Sequence, residues 1–311
     1  MERVFGGETV AGKLRGAMVA LGNFDGFHIG HQAVVGRAVA MAKKRQAPVI
    51  VATFDPHPIR YFRPNAAPFR LTTLDQRERL FAAAGADAML VLRFDAELAN
   101  VTASGFITDW LIARAGAAGV VTGEDFTFGK GRGGNTQVLA DVGRAHGLIV
   151  ETVGAVSEAG EIISSSRIRT AMQEGDCATA NRLLTRPFAI EGIVQHGDKV
   201  GRTIGYPTAN IEMGSYLRPR YGIYAVRGRL ADGRVLDGAA NLGIRPSFNP
   251  PKELLEPYFF DFSGDLYGQN IEVELHHFIR PEAKFDTLDA LTAQMDADCA
   301  EAKRILSART T

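Results

Sequence analysis

Cysteine is scarce in this chain: among 311 residues only Cys177 and Cys299 occur. Neither belongs to a paired Cys/His spacing, which excludes a disulfide framework, argues against a zinc site and points to a reduced, cytoplasmic protein. Net charge is missing too. Lys+Arg and Asp+Glu each total 35, so there is no basic field to hold a nucleic-acid backbone and no polybasic case for a membrane surface. The stretch from Met1 to Arg15 alternates charge and glycine without an apolar h-region, and no later segment reaches bilayer length. Small-molecule chemistry is what remains. With 46% apolar residues, the chain is long enough for two ordinary domains, each with its own core.

The apolar run Ala17-Met18-Val19-Ala20-Leu21 stops at Gly22-Asn23-Phe24-Asp25-Gly26-Phe27-His28-Ile29-Gly30-His31, which reads as strand, glycine-rich loop and the start of a helix over 30–43. Two imidazoles at a helix start stand beside unpaired N–H groups and the positive end of the dipole. There they can donate hydrogen bonds to phosphate oxygens without permanent charge. Two histidines alone read more readily as surface or metal-linked groups; the whole string reads as a phosphate site. The β-rich run 48–53 predicts a strand buried on both faces. It delivers Phe54-Asp55-Pro56-His57-Pro58, an acid and an imidazole, to the carboxyl edge where open α/β sheets bind ligands. Helical spacing over 74–84 and 102–115 alternates with apolar runs at 88–92 and 119–122, which predicts a doubly wound parallel sheet.

Two further stretches of this half carry chemistry. Gly123-Glu124-Asp125 through Gly134 packs acid, base and glycine into one loop. Its Gly129-x-Gly131-x-x-Gly134 matches a dinucleotide fingerprint only by chance, since it lies far from the first strand-to-helix turn, and a flexible loop folding over a nucleotide fits better. Ser164, Ser165 and Ser166 then precede a helix whose first turn carries Arg167 and Arg169, a second anion-binding terminus suited to phosphates that leave as pyrophosphate.

After Pro187 the pattern changes to short β-segments over 190–195, 223–228, 234–241 and 271–278, separated by turn residues. A small antiparallel barrel is expected. A final helix over 287–307 puts Leu288, Leu291, Met295, Cys299, Ala302 and Leu306 on one stripe, making Cys299 core. Gly201-Arg202-Thr203-Ile204-Gly205-Tyr206-Pro207-Thr208-Ala209-Asn210 lacks the Gly-Lys-Ser/Thr ending of a Walker A loop. Its glycines permit close backbone approach, Pro207 fixes a turn, and Thr208 and Asn210 offer neutral oxygens to a hard cation such as Mg²⁺.

In order and separation, GNFDGFHIGH, FDPHP, GEDFTFGKGRGG and ISSSRIR resemble the N-terminal FMN adenylyltransferase module of prokaryotic bifunctional riboflavin kinase/FAD synthetases, over nearly all of residues 17–185. GRTIGYPTAN, followed by Gly222-Ile223-Tyr224, NLGIRP and DFSGDLYG, resembles the riboflavin kinase motif GRxxGxPTAN. The resemblance implies an adenylyltransferase domain over 1–186 and a kinase barrel with a C-terminal helix over 187–311, using ATP, riboflavin, FMN and Mg²⁺. It implies that His28, His31 and Arg169 act in adenylylation and that Glu256 is the kinase base. Gly22, Asn23, Phe24, Asp25, His57, Asp125, Ser164, Ser165 and Arg167 are then ligand-binding in the first half. Gly201, Arg202, Gly205, Pro207 and Tyr224 are ligand-binding in the second, and Thr208 and Asn210 are the cation ligands.

Three departures from the family stand out. Asn135 lies where the family often has Asp, Asn249-Pro250-Pro251 where glycines are usual, and Pro257 just after the acid, where it is expected to interrupt the strand. Glu253 is the runner-up base and is expected in the loop before that strand. Two rivals are an adenylyltransferase for another phosphorylated vitamin, which leaves the PTAN half unexplained, and a flavin-binding regulator whose kinase half has decayed.

Overall fold

The computed structural model describes residues 1–6, 9–196, 205–245 and 252–308. Its packing separates two compact units, 1–67 with 73–164 and 68–72 with 165–311.

The first unit holds strands β1 (Glu2–Phe5), β2 (Ala17–Leu21), β3 (Val49–Asp55), β4 (Ala88–Arg93), β5 (Ala117–Gly123) and β6 (Ile149–Val153). They pair in parallel in the order β1-β4-β3-β2-β5-β6. From β2 the chain winds outward through β3 and β4, then returns to the other side of β2 for β5 and β6. The strand order therefore reverses between β2 and β5, and the loops leaving their carboxyl ends diverge to open a crevice. Within β2, Ala17, Val19 and Leu21 join a core with Phe106, Trp110 and Leu139, while Met18 and Ala20 join another with Val34, Val35 and Phe81. Both faces are covered by helices, which is why the strand reads as an unbroken apolar run.

Helices at Ile29–Arg45 and Leu74–Ala83 match the expected spans. The third begins at Ala103 and passes into a wider π-type winding over Phe106–Arg114, with Ala115 N donating to Trp110 O at 2.9 Å. A short hairpin of β7 (Ser157–Glu158) and β8 (Glu161–Ile162) closes the unit.

In the second unit β9 (Phe188–Ile193), β10 (Ile211–Glu212), β11 (Gly222–Arg229), β12 (Val235–Arg245), β13 (Lys252–Phe259) and β14 (Asn270–Arg280) pair antiparallel in the order β10-β13-β12-β11-β14-β9. The sheet curls into a nearly closed barrel. A bridge between Gln195 and Asn210, with Gln195 N donating to Asn210 O at 2.8 Å, joins its two ends. The helix Leu288–Ser307 lays Ala302, Ile305 and Leu306 on Ala225 and Ala239, small residues that let it come close. The stripe expected on this helix is therefore core only in its second half. Leu288 is 57% exposed, and Leu291, Met295 and Cys299 face a cavity.

Two expectations for β13 are corrected. The strand runs through Pro257, which pairs with Ala240 of β12. In an antiparallel ladder the N–H and C=O of a residue point to the same side, and Pro257 O accepts from Ala209 N at 2.9 Å, away from β12. The missing donor thus costs the β12 ladder nothing. Glu253 lies within β13, opposite Ile244, and not in a preceding loop. Asn249, Pro250 and Pro251, together with Gly201 and Arg202, lie outside the described residues.

Candidate functional site

In the first unit the loop after β2 sits at the crevice. Gly22 N still donates to Ala52 O at 3.2 Å, and the phenyl ring of Phe24 folds beneath it, 3.1 Å from where a Cβ would stand. A larger residue there would force the ring to give way by a few tenths of an ångström. Phe24 and Phe27 adopt positive φ of 48° and 47°, a cost of roughly 1–2 kcal/mol each for a side-chain-bearing residue. Burying both rings against Phe81, at centroid distances of 5.8 and 5.1 Å, offsets it. Asp25 is buried in the same turn.

His28 is the N-cap of the helix Ile29–Arg45 and its Nδ1 accepts from His31 N at 3.4 Å. That bond assigns the proton of the neutral ring to Nε2, which becomes a donor. The His31 ring stacks on it at 3.6 Å and 20° and meets Phe24 edge-on at 5.3 Å. Two imidazoles and first-turn amides thus converge on one spot beside a helix N-terminus, an arrangement suited to an anion.

His57 caps the short helix Pro58–Phe62, its Nδ1 accepting from Ile59 N at 3.2 Å. Asp125 is exposed in the loop after β5. That loop is pinned at its base: Phe128 and Gly134 exchange hydrogen bonds of 3.0 and 2.9 Å, leaving Lys130 and Arg132 exposed at its tip. Gly129, at φ 74°, lies 2.8 Å from Ala103 N by the position of an added Cβ. Asn135 is the N-cap of the next helix, its Oδ1 accepting from Val138 N at 3.0 Å. Asn and Asp serve about equally in that role, which accounts for the departure from the family pattern.

The sequence reading missed a run of aromatic rings along this edge. Phe126, Phe128, Phe106, Phe54, Phe94 and Phe62 follow one another at centroid distances of 5.8, 5.4, 6.5, 6.0 and 5.7 Å. Tyr61 lies 5.4 Å from Phe94, and Phe62 is 66% exposed. Tyr61-Phe62 directly after FDPHP was the available signal, since adjacent aromatics in a short helix cannot both be buried.

In the second unit the helix Ser165–Glu174 carries Arg167 in its first turn and Arg169 just beyond it. Arg169 Nε donates to Phe69 O at 2.7 Å and its guanidinium lies 5.3 Å from that ring. Ser164 and Ser165 are half-buried at the start of this helix.

The barrel's outer face and the final helix border a half-open cavity of about 410 Å³. Ile223, Asn241, Glu256 and Tyr258 line one wall, and Leu291, Met295 and Cys299 the other. Glu256 and Tyr258 share that wall as period-two alternation requires, and the Tyr258 ring meets Phe260 at 5.9 Å. Arg245 grips Glu256 Oε2 with Nε and Nη2, while its Nη1 reaches Glu282 at 3.4 Å. Thr208 lines this cavity and also a neighbouring one of about 60 Å³, beside Asp265, Leu266 and Tyr267. Asn210 is buried at the seam. Gly205 has φ 89° and is exposed, as is Pro207, which borders the smaller cavity. Tyr206 donates a hydrogen bond to Asp296 of the final helix.

Tyr224 is corrected. It is fully buried, its hydroxyl donates to Arg220 O, and it lines neither cavity; its neighbour Ile223 does. Burial pushes the Cys299 thiol up to about 11, so it is no nucleophile at neutral pH.

Glu253 faces away from the cavity and accepts from Tyr221 and from Arg218 Nε at 2.7 Å. Burial works to raise its pKa, but these hydrogen bonds prevail and hold the carboxyl below its usual range. Burial first, then the bond to Glu253, pushes the Tyr221 phenol up to about 12. A depressed folded pKa contributes stability above the unfolded value and loses it as pH falls through the folded one. Glu253→Gln is therefore expected to lower the urea midpoint at pH 7. The difference from wild type should begin to shrink as pH falls below the ordinary glutamate value of about 4.3 and should vanish only below the lower folded value. A pH-independent difference would refute the assignment.

Comparison with known proteins gives two family models: one described as FAD synthetase matches residues 11–167 and one described as riboflavin kinase matches residues 184–306. The bifunctional riboflavin kinase/FMN adenylyltransferase of Escherichia coli K12 is 40% identical over 283 residues, 91% of this chain and 90% of its own. The protein of that name from Haemophilus influenzae is 39% identical over 93% of this chain and 94% of its own. That from Bacillus subtilis is 38% identical over 94% and 93%. A crystal structure described as a macrolide-efflux protein from Streptococcus pneumoniae superposes with a TM-score of 0.87 and 31% identity, over 98% of this chain and 99% of its own. Among the described residues of the present chain no helix is long and apolar enough to cross a membrane.

Proposed function

The chain belongs to the family of bifunctional riboflavin kinase/FMN adenylyltransferases, and from that premise we propose how its residues divide the two reactions. Residues 187–311 phosphorylate riboflavin with ATP to give FMN and ADP. Residues 1–186 adenylylate FMN with a second ATP to give FAD and pyrophosphate. The functional boundary is placed at Arg186/Pro187, just inside the riboflavin kinase match, which begins at residue 184.

The observation that carries the kinase reading is Thr208, which stands in the wall of both cavities. The larger one has the volume and apolar lining for a flavin and holds Glu256. Glu256 takes the proton of the ribityl 5′-hydroxyl as its oxygen attacks the γ-phosphorus and ADP leaves. Thr208 and Asn210 would hold Mg²⁺ there. Both offer neutral oxygens, and among the described residues no group of three or more His, Cys, Asp or Glu is placed to bind a metal, so the substrate phosphates complete such a shell. When bound, the ion neutralises phosphate charge. Tyr224 is left out of the ligand set, because its hydroxyl is committed inside the core.

In adenylylation an FMN phosphate oxygen attacks the α-phosphorus of ATP and pyrophosphate leaves, with no covalent intermediate. His28 Nε2 and His31 orient the phosphates at the helix N-terminus. The exposed rings of Tyr61 and Phe62 offer an isoalloxazine a stacking surface. The motif alone assigns Ser164, Ser165, Arg167 and Arg169 to the departing pyrophosphate, and Asp25, His57 and Asp125 to the nucleotide. We place the protein in the cytoplasm on its two free cysteines.

Assaying FMN and FAD formation separately, from riboflavin or supplied FMN with ATP and Mg²⁺, tests the whole reading; ADP release excludes a flavin-binding regulator. Within it, Thr208→Ala and Asn210→Ala are expected to remove kinase activity and spare adenylylation of supplied FMN. An unchanged Mg²⁺ dependence of the kinase step in either variant counts against the cation assignment.

A further inference from the structure

The first site rests on a residue that none of its motifs contains. The carbonyl oxygen of Asn23 accepts from Thr53 Oγ1 at 2.8 Å and from Arg77 Nη1 at 3.3 Å, and the same Nη1 lies 3.0 Å from Thr53 Oγ1. Thr53 is 0% and Arg77 1% exposed. Arg77 is carried by the helix Leu74–Ala83, whose start is fixed by a reciprocal capping box between Thr73 and Gln76. Three elements therefore meet at one backbone oxygen: the loop after β2, the end of β3 and this helix.

A guanidinium is expensive to take out of water and is not needed to build a helix, so its burial here calls for a function. The loop it holds is one that local preferences resist, since Phe24 and Phe27 both stand at positive φ. The Arg77 Nη1 reaches both the Asn23 carbonyl and the Thr53 hydroxyl, two oxygens on different elements, which fixes direction as well as distance. We infer that Arg77 is a positioning residue for adenylyl transfer. Through the Asn23 carbonyl it sets the path of the loop, and so the angle at which the capping imidazole of His28 meets the phosphates. The inference rests on the adenylyltransferase reading of this site.

The test is a double-mutant cycle on the full chain with Arg77→Lys, Thr53→Val and the pair. Both residues act on one oxygen, so each single variant lowers kcat for FAD formation from FMN by about 10–10²-fold with KM for ATP little changed. The pair does no worse than the poorer single. FMN formation from riboflavin, measured on the same preparations, stays at the wild-type rate. Losses that multiply in the pair overturn the inference, as does a lowered unfolding midpoint with unchanged kcat, or an equal fall in both activities. Should Arg77→Lys fail to fold, Thr53→Val still decides, since it removes a hydroxyl and little volume. A wild-type chain that makes no FAD would instead overturn the underlying reading of the site.

Discussion

Glutamine at position 256 is expected to lower turnover of riboflavin to FMN by about 10²–10⁴-fold, the usual weight of a general base. The substitution keeps the size of the side chain and removes its basicity, so ATP binding should change little and the loss should fall on kcat. Arg245 keeps Glu282 as a second acidic partner, which limits the structural damage. Glu253→Gln is expected to leave turnover near wild type, because that carboxylate faces the opposite side of β13 and is engaged by Tyr221 and Arg218. Steady-state FMN formation by both variants decides the matter. A greater loss in Glu253→Gln would reverse the assignment. Full activity in both would leave phosphoryl transfer to positioning and the cation alone.

His28→Ala or His31→Ala should abolish FAD formation from supplied FMN and leave FMN formation from riboflavin largely intact. Loss of one oriented donor at such a site costs on the order of 10²–10³ in rate. The alanine at 28 also removes the N-cap of the helix Ile29–Arg45, worth about 1 kcal/mol. His28→Asn separates the two effects, since asparagine caps as well as any residue and cannot replace the imidazole Nε2. Its stability should recover while its FAD formation stays lost. Equal loss of both activities in a folded variant would contradict two independent sites.

What was legible in the sequence follows from how strongly each residue's surroundings constrain it. The central strands β2 to β5 are buried on both faces and read directly as apolar runs. The edge strands β1 and β6 escaped notice because one side is wet and admits Arg3 or Glu151. The two-residue β10 is too short to carry a period. His28 caps the helix after β2, Asp125 lies in the loop after β5 and Thr208 in the segment before β10, each outside the regular strands whose apolar runs mark the loops. Tyr224 belongs to the Gly222-Ile223-Tyr224 piece, yet strand alternation sends it inward and Ile223 to the cavity. Arg77 could not be found this way, because an arginine in an amphipathic helix reads as a solvated one. Glu253 belongs to β13 and not to the loop expected before it, because the strand begins as early as Lys252.

The orientation of Pro257 has a consequence for association between molecules. β10 pairs with β13 at Leu254 and Leu255, and the chain just before β10 continues alongside it to Pro257, which is buried, so this side of the strand is not left as the kind of edge that recruits strands from other chains. Proline at 257 presents no donor to an incoming strand, and its carbonyl is already taken by Ala209. This margin of β13 is thereby closed to edge-to-edge aggregation by its own chain.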